Sequence, residues 1–146
     1  VLSTYLDNNK IIVDLDATNY HQALEILIQK SSEKDNKALL EAIFKREKLM
    51  KTTLGKGMAF PRVHVANKDS SEIMVGISKN AIDARGFDLI NIRIIVLFIF
   101  SSQDDHAAIL AECLHLLNDN SMRAELLQVS NGEEFIARVR EWERSE

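Results

Sequence analysis

Cysteine is nearly absent: Cys113 is the only one in 146 residues, so no disulfide can close within the chain, which excludes a stapled miniature scaffold. A lone proline, Pro61, and five glycines leave no Pro- or Gly-rich linker and no sign of a second domain. The longest unbroken apolar run, Ile94–Phe100, has 7 residues, against the roughly 20 needed to cross a bilayer. No signal-peptide pattern opens the chain, so no membrane insertion is expected. Positive charge is not in excess either. The net charge is −4, with both signs interspersed, and no basic stripe exists of the kind that tracks a phosphate backbone, so nucleic-acid binding is not expected. Cys113 falls in an apolar helical pattern and reads as a buried structural thiol, consistent with a cytoplasmic setting. The chain starts at Val1 rather than methionine, which reads as a domain cut from a longer protein or a processed one.

What is present is ordinary for a globular domain, with 46% hydrophobic and 27% charged residues. Residues 1–146 are read as one domain around one core. Ile11, Ile12, Val13 and Leu15 suggest a short strand. Thr18 then caps a helix carrying Ala23, Leu24, Leu27 and Ile28 at helical spacing, and a second helix carries Leu39, Leu40, Ile43 and Phe44 and ends near Arg46-Glu47-Lys48. Met58–Val65, Glu72–Ser78 and Ile92–Phe100 are rich in β-branched and aromatic residues and read as strands. Ile92–Phe100 is apolar on both faces, as befits a central strand covered on each side. Helical periodicity returns at Ile109, Leu110, Cys113, Leu114 and Leu117, then in a short helix near Met122–Leu127. A last helix runs from Gly132 to Arg144, with Ser130 and Glu133 at capping-box spacing. Helices on both sides of a β-rich middle predict an α/β fold with a mixed β-sheet sandwiched between helices.

Phosphate-binding loops, dinucleotide fingerprints, zinc-type Cys/His sets and nucleophile elbows are all missing from the sequence, and neither a metal nor a cofactor is expected. Four histidines remain: His21, His64, His106 and His115. Histidine is the side chain best suited to reversible proton or phosphoryl transfer near neutral pH. His21 falls in the first turn of the first helix and His115 on a helix face beside core leucines, and both read as structural or solvated. His64 alternates with Arg62 along a strand, so the two share a face. His106 follows the central strand at the start of a helix, a usual place for an α/β site, where exposed N–H groups favour an anion.

The segment Arg46-Glu47, then Thr52-Thr53-Leu54-Gly55-x-Gly57-Met58-Ala59-Phe60-Pro61, resembles the signature of the type-2 enzyme IIA domains of the bacterial phosphotransferase system, the fructose, mannitol and nitrogen-regulatory class. Val75-Gly76-Ile77-Ser78, a turn at Gly86-Phe87-Asp88, the strand into Phe98 and Asp105-His106 follow in the family's order. The resemblance covers nearly the whole chain. It implies a phosphotransferase/anion-transport-protein-like fold and a histidine directly after the proline that takes a phosphoryl group from the phosphocarrier HPr and hands it to an enzyme IIB partner. It also implies site roles for Arg46, for His106 and for Thr53 or Thr52. Here Arg62 occupies the acceptor position, and a guanidinium has no free lone pair with which to attack phosphorus.

Two functions follow as expectations. In the first, Arg46, Arg62, His64 and His106 form a cationic pocket without a transferable group, and the domain is a regulatory or docking module. Its partner would be an acidic protein surface, a fused transporter or regulator, or an anionic ligand. In the second, His64 is a displaced phosphoryl acceptor and the domain is a working carrier between an HPr-like and an enzyme IIB-like protein. Two residues along a strand is about 6.5–7 Å, so this second function requires the Pro61–His64 segment to bend locally.

Overall fold

The computed structural model describes residues 1–49, 56–84 and 89–146. The expected turn at Gly86-Phe87-Asp88 and the Thr52–Gly55 part of the signature lie outside the described residues. After short 3₁₀ turns at Leu2–Tyr5 and Asn8–Lys10 come β1 (Ile11–Ile12), α1 (Tyr20–Ile28), α2 (Asn36–Leu49), β2 (Met58–Ala59) and β3 (Arg62–Val65). Then follow β4 (Glu72–Ala84), β5 (Leu89–Ser101), α3 (His106–Asn118), α4 (Asn120–Leu126) and α5 (Gly132–Ser145).

Among the described residues the strands form one mixed sheet in the order β1-β4-β5-β2, with β3 also on β5. β4 and β5 are antiparallel, whereas β1 lies parallel to β4 and both β2 and β3 lie parallel to β5. The expected strand Met58–Val65 is thus one line in space interrupted once. Met58 pairs with Ile94 and Arg62 with Phe98 at the same offset, so no residue slips; Pro61 has no N–H for the ladder, yet its carbonyl still accepts from Phe98 N at 3.0 Å.

Strict alternation along β5 creates the two-sided core. Ile94, Val96, Phe98 and Phe100 pack with Ile109, Cys113, Leu117, Phe135 and Val139 of α3 and α5. Ile95, Leu97 and Ile99 pack instead with Tyr20, Leu24, Leu27 and Ile43 of α1 and α2. The sheet is therefore sandwiched between helices, as the sequence predicts. Burial holds the Cys113 thiol up at about 12, so it stays protonated.

The expected elements differ from the observed ones at their ends. The cap of α1 is Asn19, whose side chain accepts from Gln22 N, rather than Thr18, whose N–H donates to Gln22 Oε1. At α5 the expected Ser130/Glu133 box is displaced by one residue: Asn131 accepts from Glu134 N, and Glu134 accepts from Ser130 N. Both helices keep the reciprocal capping logic. β4 runs past Ser78 to Ala84 through register shifts between Ile77 and Ile82 and again before Ala84.

Gly57 leads into β2 with φ of +78°, and a Cβ there would come 2.7 Å from the Asn91 carbonyl oxygen. The same glycine's carbonyl accepts from Arg93 N and Ile94 N, so the strand cannot move away to make room. Gly57→Ala is expected to cost about 1–3 kcal/mol of stability, read as a shift of the urea unfolding midpoint. An unchanged midpoint would show that this turn is not strained for an L-residue.

Candidate functional site

β3 and β5 are parallel, so their carboxyl ends emerge on the same side. His64 lies opposite Phe100 near that end. Four residues after the end of β5, Asp105 N-caps α3 by accepting from Ala108 N, and His106 is the first residue of the helix. The result is a contact between the two histidines that sequence placed separately. Their ring centroids are 4.7 Å apart and the planes nearly perpendicular at 88°. Phe100 supports both rings, with centroids 5.4 Å from His64 and 5.6 Å from His106.

Arg62 shares the strand with His64 and is half-buried, and its Nη1 donates to the Phe60 carbonyl at 3.1 Å. From the opposite helical layer, α2 contributes Arg46, whose Nε is buried without a hydrogen-bond partner among the described residues. Burial lowers the Arg62 pKa, repulsion from Arg46 lowers it further, and Glu47 acts in the other direction. Burial likewise lowers the pKa of His64, assisted by His106, Arg46 and Arg62. His64 is thus driven toward the neutral imidazole, the form with a lone pair able to attack. Sequence reasoning grouped Arg46, Arg62, His64 and His106, and His106, Arg46 and Arg62 each act electrostatically on His64. Thr52 and Thr53 lie outside the described residues.

Glu47 is the part of the site that sequence reasoning left without a role. Its side chain is buried and accepts a hydrogen bond from the Tyr20 hydroxyl at 3.0 Å. Tyr20 is itself fully buried, and desolvation, then the Glu47 charge, holds its pKa well above the ordinary phenol value. A carboxylate thus sits one residue from Arg46 and within the field of Arg62, where it offsets part of the cationic charge. The local signal was only an Arg-Glu dipeptide in a helix, which reads as solvated unless its neighbours in space are known.

The other two histidines are elsewhere. His21 pairs with Glu25 at 2.9 Å and stacks on Phe44, with centroids 4.6 Å apart. His115 pairs with Glu146 at 2.9 Å and lies 5.2 Å from Trp142. It is exposed at the helix surface rather than packed among the leucines of α3. Among the described residues, no group of three or more His, Cys, Asp or Glu side chains could hold a metal ion, and no helix is long and apolar enough to cross a membrane.

An imidazole whose charged form is disfavoured by burial and by the neighbouring His106, Arg46 and Arg62 thus lies near the strand ends of an α/β sandwich. Residues 4–142 match the family described as the phosphoenolpyruvate-dependent sugar phosphotransferase system, EIIA 2, and the chain belongs to it. The chain resembles the nitrogen regulatory protein IIA-Ntr from Neisseria meningitidis at a TM-score of 0.82 and 22% identity, covering 94% of this chain and 98% of that one. It also resembles the mannitol IIA of Escherichia coli at a TM-score of 0.70 and 19% identity, covering 92% and 98% of the respective chains. The same protein's complex with phosphorylated enzyme IIB gives a TM-score of 0.69 at 16% identity, over 92% of this chain and 96% of that one. At these identities the likeness establishes the fold. No curated protein sequence matches the chain.

Proposed function

We propose that this domain is a phosphocarrier of the enzyme IIA type in which His64, rather than the residue directly after Pro61, accepts the phosphoryl group. The observation that supports this reading is the ring contact between His64 and His106. In this reading His64 attacks as the neutral imidazole, and Arg46 and Arg62 stabilise negative charge on the phosphoryl oxygens. Buried Glu47 prevents an excess of positive charge from holding the group too tightly to release. The donor is an HPr-like phosphocarrier and the acceptor an enzyme IIB-like protein, as in the mannitol IIA complex with phosphorylated enzyme IIB that shares the fold.

The second reading is a regulatory or docking module, and its support is Arg62. Aligned with the family's signature, an arginine follows Pro61 where the acceptor histidine is expected. An arginine fork there suits bidentate recognition of a carboxylate or phosphate on a partner. Intact-mass measurement after incubation with phosphoenolpyruvate, enzyme I and HPr separates the two readings. The carrier gains one phosphoryl group, labile in acid, and loses this ability in His64→Ala. A docking module gains nothing, and Arg62→His would then restore labelling if only the nucleophile had been lost.

A further inference from the structure

The geometry of the His64–His106 contact depends on where the β5–α3 loop delivers the first turn of α3, and that loop is fastened from outside. Asp104, two residues before His106, accepts from the Tyr5 hydroxyl at 3.0 Å through Oδ1 and from Ser71 N at 2.8 Å through Oδ2. Tyr5 belongs to the first turn of the chain and Ser71 immediately precedes β4, so one carboxylate joins three segments remote in sequence. Ser101, at the end of β5, completes the fastening. It is buried, its N–H donates to Ser71 Oγ at 2.9 Å, its hydroxyl donates to the Lys68 carbonyl at 2.6 Å, and its Oγ accepts from Gln103 N at 3.1 Å.

Such an arrangement does more than close a loop. The N–H and O–H groups pointing at Asp104 select the ionised carboxylate, and the hydrogen bonds from Ser71 and Tyr5 hold its pKa down. Asp105 starts α3 one residue later, so the end of the fastened loop and the start of the helix are adjacent. One peptide unit joins Asp105 to His106, so the fastened loop constrains where the His106 backbone stands, and the side-chain torsions complete the approach of the ring to His64.

We propose that Asp104, held by Tyr5 and Ser71, is a positioning residue that sets the His106 ring against His64. This rests on the reading of His64 as the acceptor only for its catalytic consequence; the ring geometry stands apart from it. Misplacing a reacting neighbour by about 1 Å costs on the order of 10²-fold in rate. Loosening the loop is therefore expected to slow phosphorylation of His64 by about tenfold or more.

The test is a two-bond ¹H–¹⁵N imidazole titration of His64 and His106, with nuclear Overhauser contacts between the rings, in the unaltered protein, Tyr5→Phe, Asp104→Ala and Asp104→Asn. No phosphoryl donor is needed, so the result is independent of whether His64 is the acceptor. Tyr5→Phe changes no charge near the histidines. The expected result is weaker ring–ring contacts and a His64 midpoint moved up toward ordinary imidazole, most in Asp104→Ala. Tyr5→Phe should move it less, and Asp104→Asn, which keeps an acceptor oxygen, should fall between the unaltered protein and Asp104→Ala. A folded Asp104→Ala with unchanged ring contacts and an unchanged His64 midpoint overturns the proposal and leaves Asp104 a brace for the fold alone. If Asp104→Ala does not fold, an unchanged His64 spectrum in Tyr5→Phe overturns it equally.

Discussion

Arg46→Ala is expected to slow phosphoryl transfer onto His64 by about 10²- to 10³-fold, the usual loss when one fixed charge-stabilising donor is removed from a transferring group. The orphaned Nε explains why the loss should fall on the reaction rather than on the fold. A buried N–H without a partner among the described residues is costly in the resting protein, and a developing phosphoryl oxygen is the kind of acceptor that would satisfy it. The interaction would then be stronger in the transition state than before it, which is what lowers a barrier. Alanine also removes a charge that repels Arg62, so thermal stability should fall little. Initial rates of phosphoryl incorporation by intact mass, beside melting curves, check this. A rate within threefold of the unaltered protein would show that Arg46 does not face the reacting group.

Glu72→Ala is expected to be the most destabilising of the charge removals, by about 3–5 kcal/mol, which corresponds to a fall in melting temperature of roughly 10–20 °C. The Glu72 carboxylate is 6% exposed. It accepts from Lys10 at 2.7 Å, from Ser32 N and Oγ at 3.0 and 2.8 Å, and from Lys68. Lys68 also reaches Glu33 at 2.7 Å, so removing Glu72 leaves a buried ammonium with only part of its counter-charge. Burial by itself would raise the Glu72 pKa, but the hydrogen bonds from Lys10, Lys68 and Ser32 win and bring it from 4.5 to about 2.

The sign of the pH effect follows from that direction. A carboxylate whose folded pKa lies below its unfolded value stabilises the fold fully above the unfolded value. That contribution disappears as pH falls from about 4.5 toward about 2. Melting temperature measured from pH 7 to pH 2 should drop steeply in this window for the unaltered protein and less so for Glu72→Ala. Equal acid sensitivity in both would assign acid unfolding to other carboxylates.

The architecture was legible because β5 carries its instruction locally. Eight apolar residues out of nine in Ile92–Phe100, with Arg93 the one exception, leave no polar face and mark a covered strand, and the 3.6-residue stripes in α1, α3 and α5 supply the covers. Element ends were less legible, since Thr18-Asn19 and Ser130-Asn131 each offer two cap-forming side chains in succession, and only the path of the following helix selects one. β4 beyond Ser78 was hidden by Lys79, Asn80 and Ala81, which are exposed and carry no alternating pattern. In the site, period-2 geometry brought Arg62 and His64 together, and the junction after β5 singled out His106. Their mutual contact was not readable, because it depends on the parallel register that sets His64 against Phe100. Tyr20–Glu47 and Tyr5–Asp104 are single hydrogen bonds between residues 27 and 99 positions apart, and such contacts leave no periodic trace in either partner's surroundings.

The most direct measurement of the central claim is the two-bond ¹H–¹⁵N imidazole spectrum of the protein recorded before and after phosphoryl transfer from HPr. The account predicts that the nitrogen pattern of His64 alone changes to that of a phosphohistidine, with His106 shifted only as its neighbour. A phosphohistidine pattern at His106, or unaltered spectra at both residues in protein that remains folded, would contradict it.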